Sequence, residues 1–166
     1  MAIPQETTMN PPPKTVLVLN GPNLNLLGSR EPAVYGAETL ADVERICRAA
    51  CETHGFRLDF RQSNHEGVLI DAIHEAGAAQ AAGTLAGVVF NAGAYTHTSL
   101  ALHDAIKGAG VHLIELHISN VHAREAFRHH SWISPVAQGV MFGFGTHGYA
   151  LAIAALALRP APAPVR

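Results

Sequence analysis

A chain of 166 residues suffices for one domain with a sizeable core, but with 48% apolar and only 14% charged residues it falls well short of the charge content, about 25%, of an ordinary soluble domain. The shortfall implies that part of the surface is covered in an oligomer, and a net charge of −2 provides no basic face for nucleic acid. Cys47 and Cys51 are spaced C-x3-C, which matches neither a redox pair nor a zinc site, so the sparse cysteines point to reduced thiols in a cytoplasmic protein.

Residues 1–13 lack the basic and apolar regions of a signal peptide and read as a disordered tail ending in three prolines. Residues 159–166 alternate Pro and Ala and read likewise, so 14–158 form a single α/β domain. The first strand is predicted over 15–19. A long loop over 20–36 follows, kept from helix by Gly21, Pro22, Gly28, Pro32 and Gly36, and it carries Asn20, Asn23, Asn25, Arg30 and Tyr35. A phenol needs a downward shift of about 3 units to act as a base near neutrality, and the guanidinium of Arg30 can supply much of it for Tyr35.

The first helix is expected over 40–54, with Thr39 and Asp42 as a weak cap-like pair and Gly55 as its stop. A strand over 57–62 leads to a capping box at 63–66 and a helix over 67–80. The third strand covers 87–90, the polar loop 91–98 follows, and a helix covers 99–107. The fourth strand spans 111–118, and a short helix over 123–128 places Arg124 and Arg128 on one face. A fifth strand at 139–142 and a helix over 149–158 complete the pattern. This last region contains no Asp, Glu, Lys or Arg from Ser131 to Leu158, but glycines, Thr146 and His147 interrupt it, so it reads as buried strand, loop and helix and not as a membrane span.

Strand–helix alternation implies a parallel sheet covered on both faces, with a ligand beyond the carboxyl ends of its strands. Asn20, Asn23, Asn91, Ser119 and Asn120 converge there, a set suited to a neutral or anionic polyhydroxy compound and not to a metal. Glu115, His117 and Ser119 share one strand face, so Glu115 can orient His117 as a general acid or base. An acid in an apolar strand is costly unless it is paired. The GFGTHG run at 143–148 lacks the acid that a dinucleotide site needs and reads as close packing of the last strand against the last helix. Phe127 and Trp132 read as packing residues, and Cys47 and Cys51 as core or half-buried positions.

These residues lie in strings that resemble the type II 3-dehydroquinate dehydratases: LNGPNLNLLG at 19–28, REP at 30–32 with VYG at 34–36, QSNHEG at 62–67, NAGAYTHTS at 91–99 and ELHISNVHARE at 115–125. The resemblance covers about 14–158 and implies a flavodoxin-like, doubly wound fold with a five-stranded parallel sheet. It implies dehydration of 3-dehydroquinate to 3-dehydroshikimate in the shikimate pathway, without metal, Schiff base or organic cofactor. Tyr35, as phenolate, is then the base. Arg30 keeps it charged, Asn23 holds a water that stabilises the enolate, and His117, oriented by Glu115, protonates the leaving hydroxyl. Asn91 and the backbone N–H groups of Ile118 and Ser119 suit the substrate carboxylate, while His97 and Arg128 suit the ring hydroxyls. Asp104 resembles a residue lent by a neighbouring subunit in a dodecamer of four trimers.

Two rivals share the sheet. A receiver-like signalling module needs acids at the ends of strands one and three, where Asn20 and Asn91 stand. A non-enzymatic flavodoxin-like module for a flavin, nucleotide or other small molecule needs a hydroxyl-rich phosphate loop after the first strand, and NGPNLN is a poor one.

Overall fold

A computed structural model describes residues 11–29 and 37–158. Five strands, β1 (Thr15–Asn20), β2 (Arg57–Gln62), β3 (Leu85–Asn91), β4 (Leu113–His117) and β5 (Gly139–Phe142), form one sheet in the order β2-β1-β3-β4-β5. All neighbouring strands run parallel. Three α-helices connect the first four strands, α1 (Leu40–Thr53), α2 (Glu66–Ala81) and α3 (Leu100–Ala109), 3-10 turns link β4 to β5, and α4 (His147–Ala157) follows β5.

Strand periodicity of two explains the layering. In β1, Leu17 and Leu19 join Val88, Phe90 and Leu113 in a core completed by Leu69 and Ile73 of α2 and Leu102 and Ile106 of α3. Val16 and Val18 face the other way, with Val89, Ile114 and Leu116, onto Val43 and Cys47 of α1 and Tyr149 and Ile153 of α4. Helices therefore cover both faces, and the inner strands read as continuous apolar runs. Cys47 and Cys51 are fully buried, and burial pushes their thiols up to about 12 and about 11. Among the described residues no helix is long and apolar enough to cross a membrane.

The chain leaves β1 toward β2 on one side and later returns to place β3 on the other. This is the doubly wound order of flavodoxin-like sheets, and it opens a crevice between the ends of β1 and β3.

The structure corrects several local expectations. Thr39 and Asp42 form a complete capping box on α1, with Asp42 N–H donating to Thr39 Oγ1 at 3.3 Å and Thr39 N–H donating to Asp42 Oδ2 at 2.8 Å. The capping box expected at 63–66 is absent. Ser63 Oγ instead accepts from His65 N–H at 3.0 Å, and α2 starts at Glu66 after His65, whose side chain makes no cap hydrogen bond. The helix expected over 123–128 is two separate 3-10 turns, Val121–Ala123 and Ala126–Arg128, since Arg124 between them is extended. The last glycine of the GFGTHG run packs α4 against β4, a Cβ on Gly148 lying 2.9 Å from Leu116 Cδ1, where β5 was expected as the partner. Phe127 and Trp132 are exposed in the single chain, 67% and 38%, contrary to their reading as packing residues.

Helices α2 and α3 are in close contact where a Cβ on Gly77 would lie 2.8 Å from both Ala109 Cβ and Ala109 O. Gly77→Ala should lower stability by about 1–3 kcal/mol because this backbone contact cannot yield. Gly67→Ala, near the start of the same helix with open space around it, should leave stability unchanged or raise it by up to about 1 kcal/mol. Denaturant unfolding of the two variants checks the contrast.

Candidate active site

In a sheet buried on both faces, polar groups at the strand ends must find partners inside the protein. Asn20 and Asn91 end β1 and β3 in direct register, and both are buried. Tyr149 of α4 joins them: its hydroxyl donates to Asn20 Oδ1 at 2.7 Å and accepts from Asn91 Nδ2 at 2.9 Å. Burial raises the Tyr149 phenol well above its usual range, so it serves as a neutral bridge. Asn20 Nδ2 also donates to Arg61 O at 3.1 Å, and Asn91 Oδ1 accepts from Gly93 N–H at 3.2 Å.

Above this bridge the loops after β1 and β3 touch backbone to backbone. Gly21 N–H donates to Asn91 O at 2.7 Å, and a Cβ at Gly21 would fall 2.5 Å from Ala92 O, so only glycine fits. Asn23 then turns the chain in the left-handed region, φ 67°, which asparagine tolerates better than most residues. Its N–H donates to Asn64 Oδ1 at 2.9 Å. Gln62 Nε2 reaches Asn64 Oδ1 at 3.0 Å and Gly21 O at 3.2 Å, and Tyr95 Oη donates to Asn64 O at 2.9 Å. The QSNHEG string thus acts as a buttress for the first loop.

An open cleft sits here, lined on one side by Asn23, Leu24 and Leu27 and on the other by Asn91, Ile118 and Arg128. A smaller hollow lies beside it, lined by His97, Glu115, His117 and Arg128, so Arg128 borders both. Arg128 Nε donates to Glu125 Oε2 at 2.9 Å.

The hollow holds a buried ionisable pair. Glu115 is fully buried in β4, and its Oε1 accepts from His117 Nε2 at 2.8 Å, from Ser131 Oγ at 2.8 Å and from Thr96 Oγ1. Its Oε2 accepts from Ser134 Oγ. Burial alone would push the carboxyl up, but the hydrogen bonds from His117, Ser134 and Thr96 outweigh it and hold Glu115 down at about 2. An anion there fixes the proton of His117 on Nε2 and orients the ring. His97 lies parallel to His117, with ring centroids 6.4 Å apart at 14°, and its Nδ1 is 2.7 Å from His130 O. Burial pushes His97 below the ordinary histidine range, against the opposing effect of the His130 carbonyl. Among the described residues no group of three or more His, Cys, Asp and Glu side chains is arranged to hold a metal ion.

Of the residues singled out from sequence, Asn23, Asn91, Ile118 and Arg128 meet in the cleft and His97, Glu115 and His117 in the hollow. Ser119 follows β4, half-buried. Asp104 is exposed on α3 and lines neither cavity. Arg30 and Tyr35 lie outside the described residues, as do the tails at 1–10 and 159–166. The sequence reading missed Thr96, Ser131, Ser134 and Tyr149. The signal for the three hydroxyls was the cost of an acid in an apolar strand, which demands donors. For Tyr149 it was the lone phenol in a helix that is otherwise apolar.

Residues 14–157 match the family model described as Dehydroquinase class II. The 3-dehydroquinate dehydratase of Acidovorax sp. (strain JS42) is 71% identical over 144 residues, covering 87% of this chain and 97% of that relative. The 3-dehydroquinate dehydratase of Variovorax paradoxus (strain S110) is 71% identical over 143 residues, 86% and 98% of the two chains. The crystal structure of the type II dehydroquinase from Butyrivibrio crossotus DSM 2876 superposes with a TM-score of 0.82 at 43% identity, covering 87% of this chain and 97% of that one.

Tyr149→Phe removes one hydroxyl and strips a partner from both Asn20 and Asn91. The expected result is a stability loss of about 1–3 kcal/mol in urea unfolding. Unchanged stability would show that the bridge carries no such load.

Proposed function

The chain belongs to the class II dehydroquinase family, and we infer from this that it is a lyase dehydrating 3-dehydroquinate to 3-dehydroshikimate in the shikimate pathway. The observation that carries the mechanism is the buried Glu115–His117 pair beside a cleft that presents Asn23, Asn91 and Arg128. A carboxylate hydrogen-bonded at 2.8 Å to an imidazole that is itself only 8% exposed is an arrangement for delivering a proton at a fixed place.

In the proposed reaction, Tyr35 as phenolate takes a proton from the carbon next to the ketone, and Arg30 holds the phenolate charged. Electrons move onto the ketone oxygen as an enolate, which a water held by Asn23 stabilises. The enolate then re-forms the ketone and expels the β-hydroxyl, which leaves as water with a proton from His117. With Nε2 committed to Glu115, that proton is the one on Nδ1. Asn91 with the backbone N–H groups of Ile118 and Ser119 takes the substrate carboxylate, and His97 and Arg128 take the ring hydroxyls. No metal or organic cofactor enters the scheme, and prolonged chelation should leave the rate unchanged. The alternative of a non-enzymatic flavodoxin-like binding module is not favoured.

The proposed assembly is a dodecamer of four trimers in which Asp104 completes a neighbour's site. Its support is an exposed face of α3 carrying Leu100 and Asp104, together with exposed Phe127 and Trp132, on a chain of low charge. A cytoplasmic setting is proposed from the two free, buried thiols.

The test is ultraviolet detection of the conjugated enone product from 3-dehydroquinate. Tyr35→Phe should abolish turnover with unchanged thermal unfolding, and His117→Ala should lower kcat roughly 10²–10⁴-fold. Wild-type-like kcat in Tyr35→Phe would remove the base from the scheme.

A further inference from the structure

We propose that Ser134 is a positioning residue for the acid His117: its hydroxyl, given to Oε2 of Glu115, keeps that carboxylate an anion able to hold the imidazole. The inference rests on the dehydratase reading and goes beyond it to a residue of the hollow's wall to which that reading gives no role.

The two oxygens of Glu115 are supplied unequally. Oε1 accepts from His117, Thr96 and Ser131, whereas among the described residues the hydrogen bond drawn to Oε2 comes from Ser134. A serine has one proton to give. The Ser131 hydroxyl already accepts from Ile133 N–H and Ser134 N–H, both at 3.0 Å, and its own proton is given to Oε1. It cannot cover Oε2 if Ser134 is lost. A bare oxygen on a fully buried carboxylate takes up a proton at higher pH, since burial disfavours the charged form. A neutral Glu115 no longer stabilises an imidazolium, and the orientation of the acid is lost with it. The other titratable and charged groups facing the pair are His97 from the 3-10 turn after β3, and His122, Arg128 and His129 from the β4–β5 connection. Replacing Ser134 changes none of them.

Ser134→Thr and Ser134→Val have the same shape and differ by the hydroxyl. kcat and KM for 3-dehydroquinate are measured on the intact enzyme from pH 9 down to pH 3, the range into which a limb raised from about 2 would move, with thermal unfolding alongside at each pH. Glu115 works as the anion, so its activity persists above its pKa and fails below it. Raising that pKa moves the acid limb upward. S134V should lower kcat about tenfold and shift the acid limb of kcat up by about one to two pH units, while S134T keeps the wild-type profile. If S134V is too unstable to assay, Ser134→Ala removes the same hydroxyl without added bulk and must show the same shift. A wild-type pH profile in the hydroxyl-free variant, whatever its absolute rate, overturns the proposal, as does an equal shift in S134T. A wild-type protein without dehydratase activity strikes the functional reading instead, whereas an active wild type with an unshifted S134V strikes this inference alone.

Discussion

The reversal of strand order between β1 and β3 forces two loops apart at the carboxyl edge of a sheet that helices cover on both faces. The asparagines at that edge must be satisfied from within, and one phenol from α4 meets both. Asn20, Asn91 and Tyr149 form a closed polar unit beneath the cleft, and the loops that carry Asn23 and Gly93 start from it. The Gly21 contact with Ala92 then fixes how far apart those loops stand. Site geometry follows from how the sheet end is sealed.

A second sealing problem lies on the next strand, β4. Glu115 sits where a parallel strand would normally carry an apolar side chain, and a buried carboxylate is tolerated only when paired and hydrogen-bonded. Three hydroxyls from two connecting segments and one imidazole from the same strand meet that demand. The burial that makes the charge expensive also makes its hold on His117 strong, because a low local dielectric sharpens every hydrogen bond it accepts. Loops that close over the sheet edge therefore hold the Glu115–His117 pair as well as line the cleft.

Much of this was legible in the sequence, for identifiable reasons. Apolar runs and their helical partners marked all five strands, and the residues at the strand ends pointed to the site. Glu115 and His117 were readable as a pair because strand side chains two apart share a face. The hydroxyl donors were not readable: Thr96 is 19 residues and Ser134 also 19 residues from Glu115, on either side, and neither lies in a periodic pattern. The stretch 123–128 has helical spacing, but an extended Arg124 separates two 3-10 turns, Val121–Ala123 and Ala126–Arg128. Phe127 and Trp132 read as core because aromatics usually are, yet the single chain leaves them exposed.

Strand β2 lies at the margin of the sheet and none of its own residues reaches either cavity. Yet Gln62, its last residue, and Asn64 just beyond it grip the backbone of the first loop at Gly21 and Asn23. Margins of sheets open more readily than their centres. Fraying that began at this outer ribbon would loosen Asn23 while the interior ladder was still whole. The position of the first loop is thus tied to an edge strand, and it would loosen on gentle heating before the fold itself gave way.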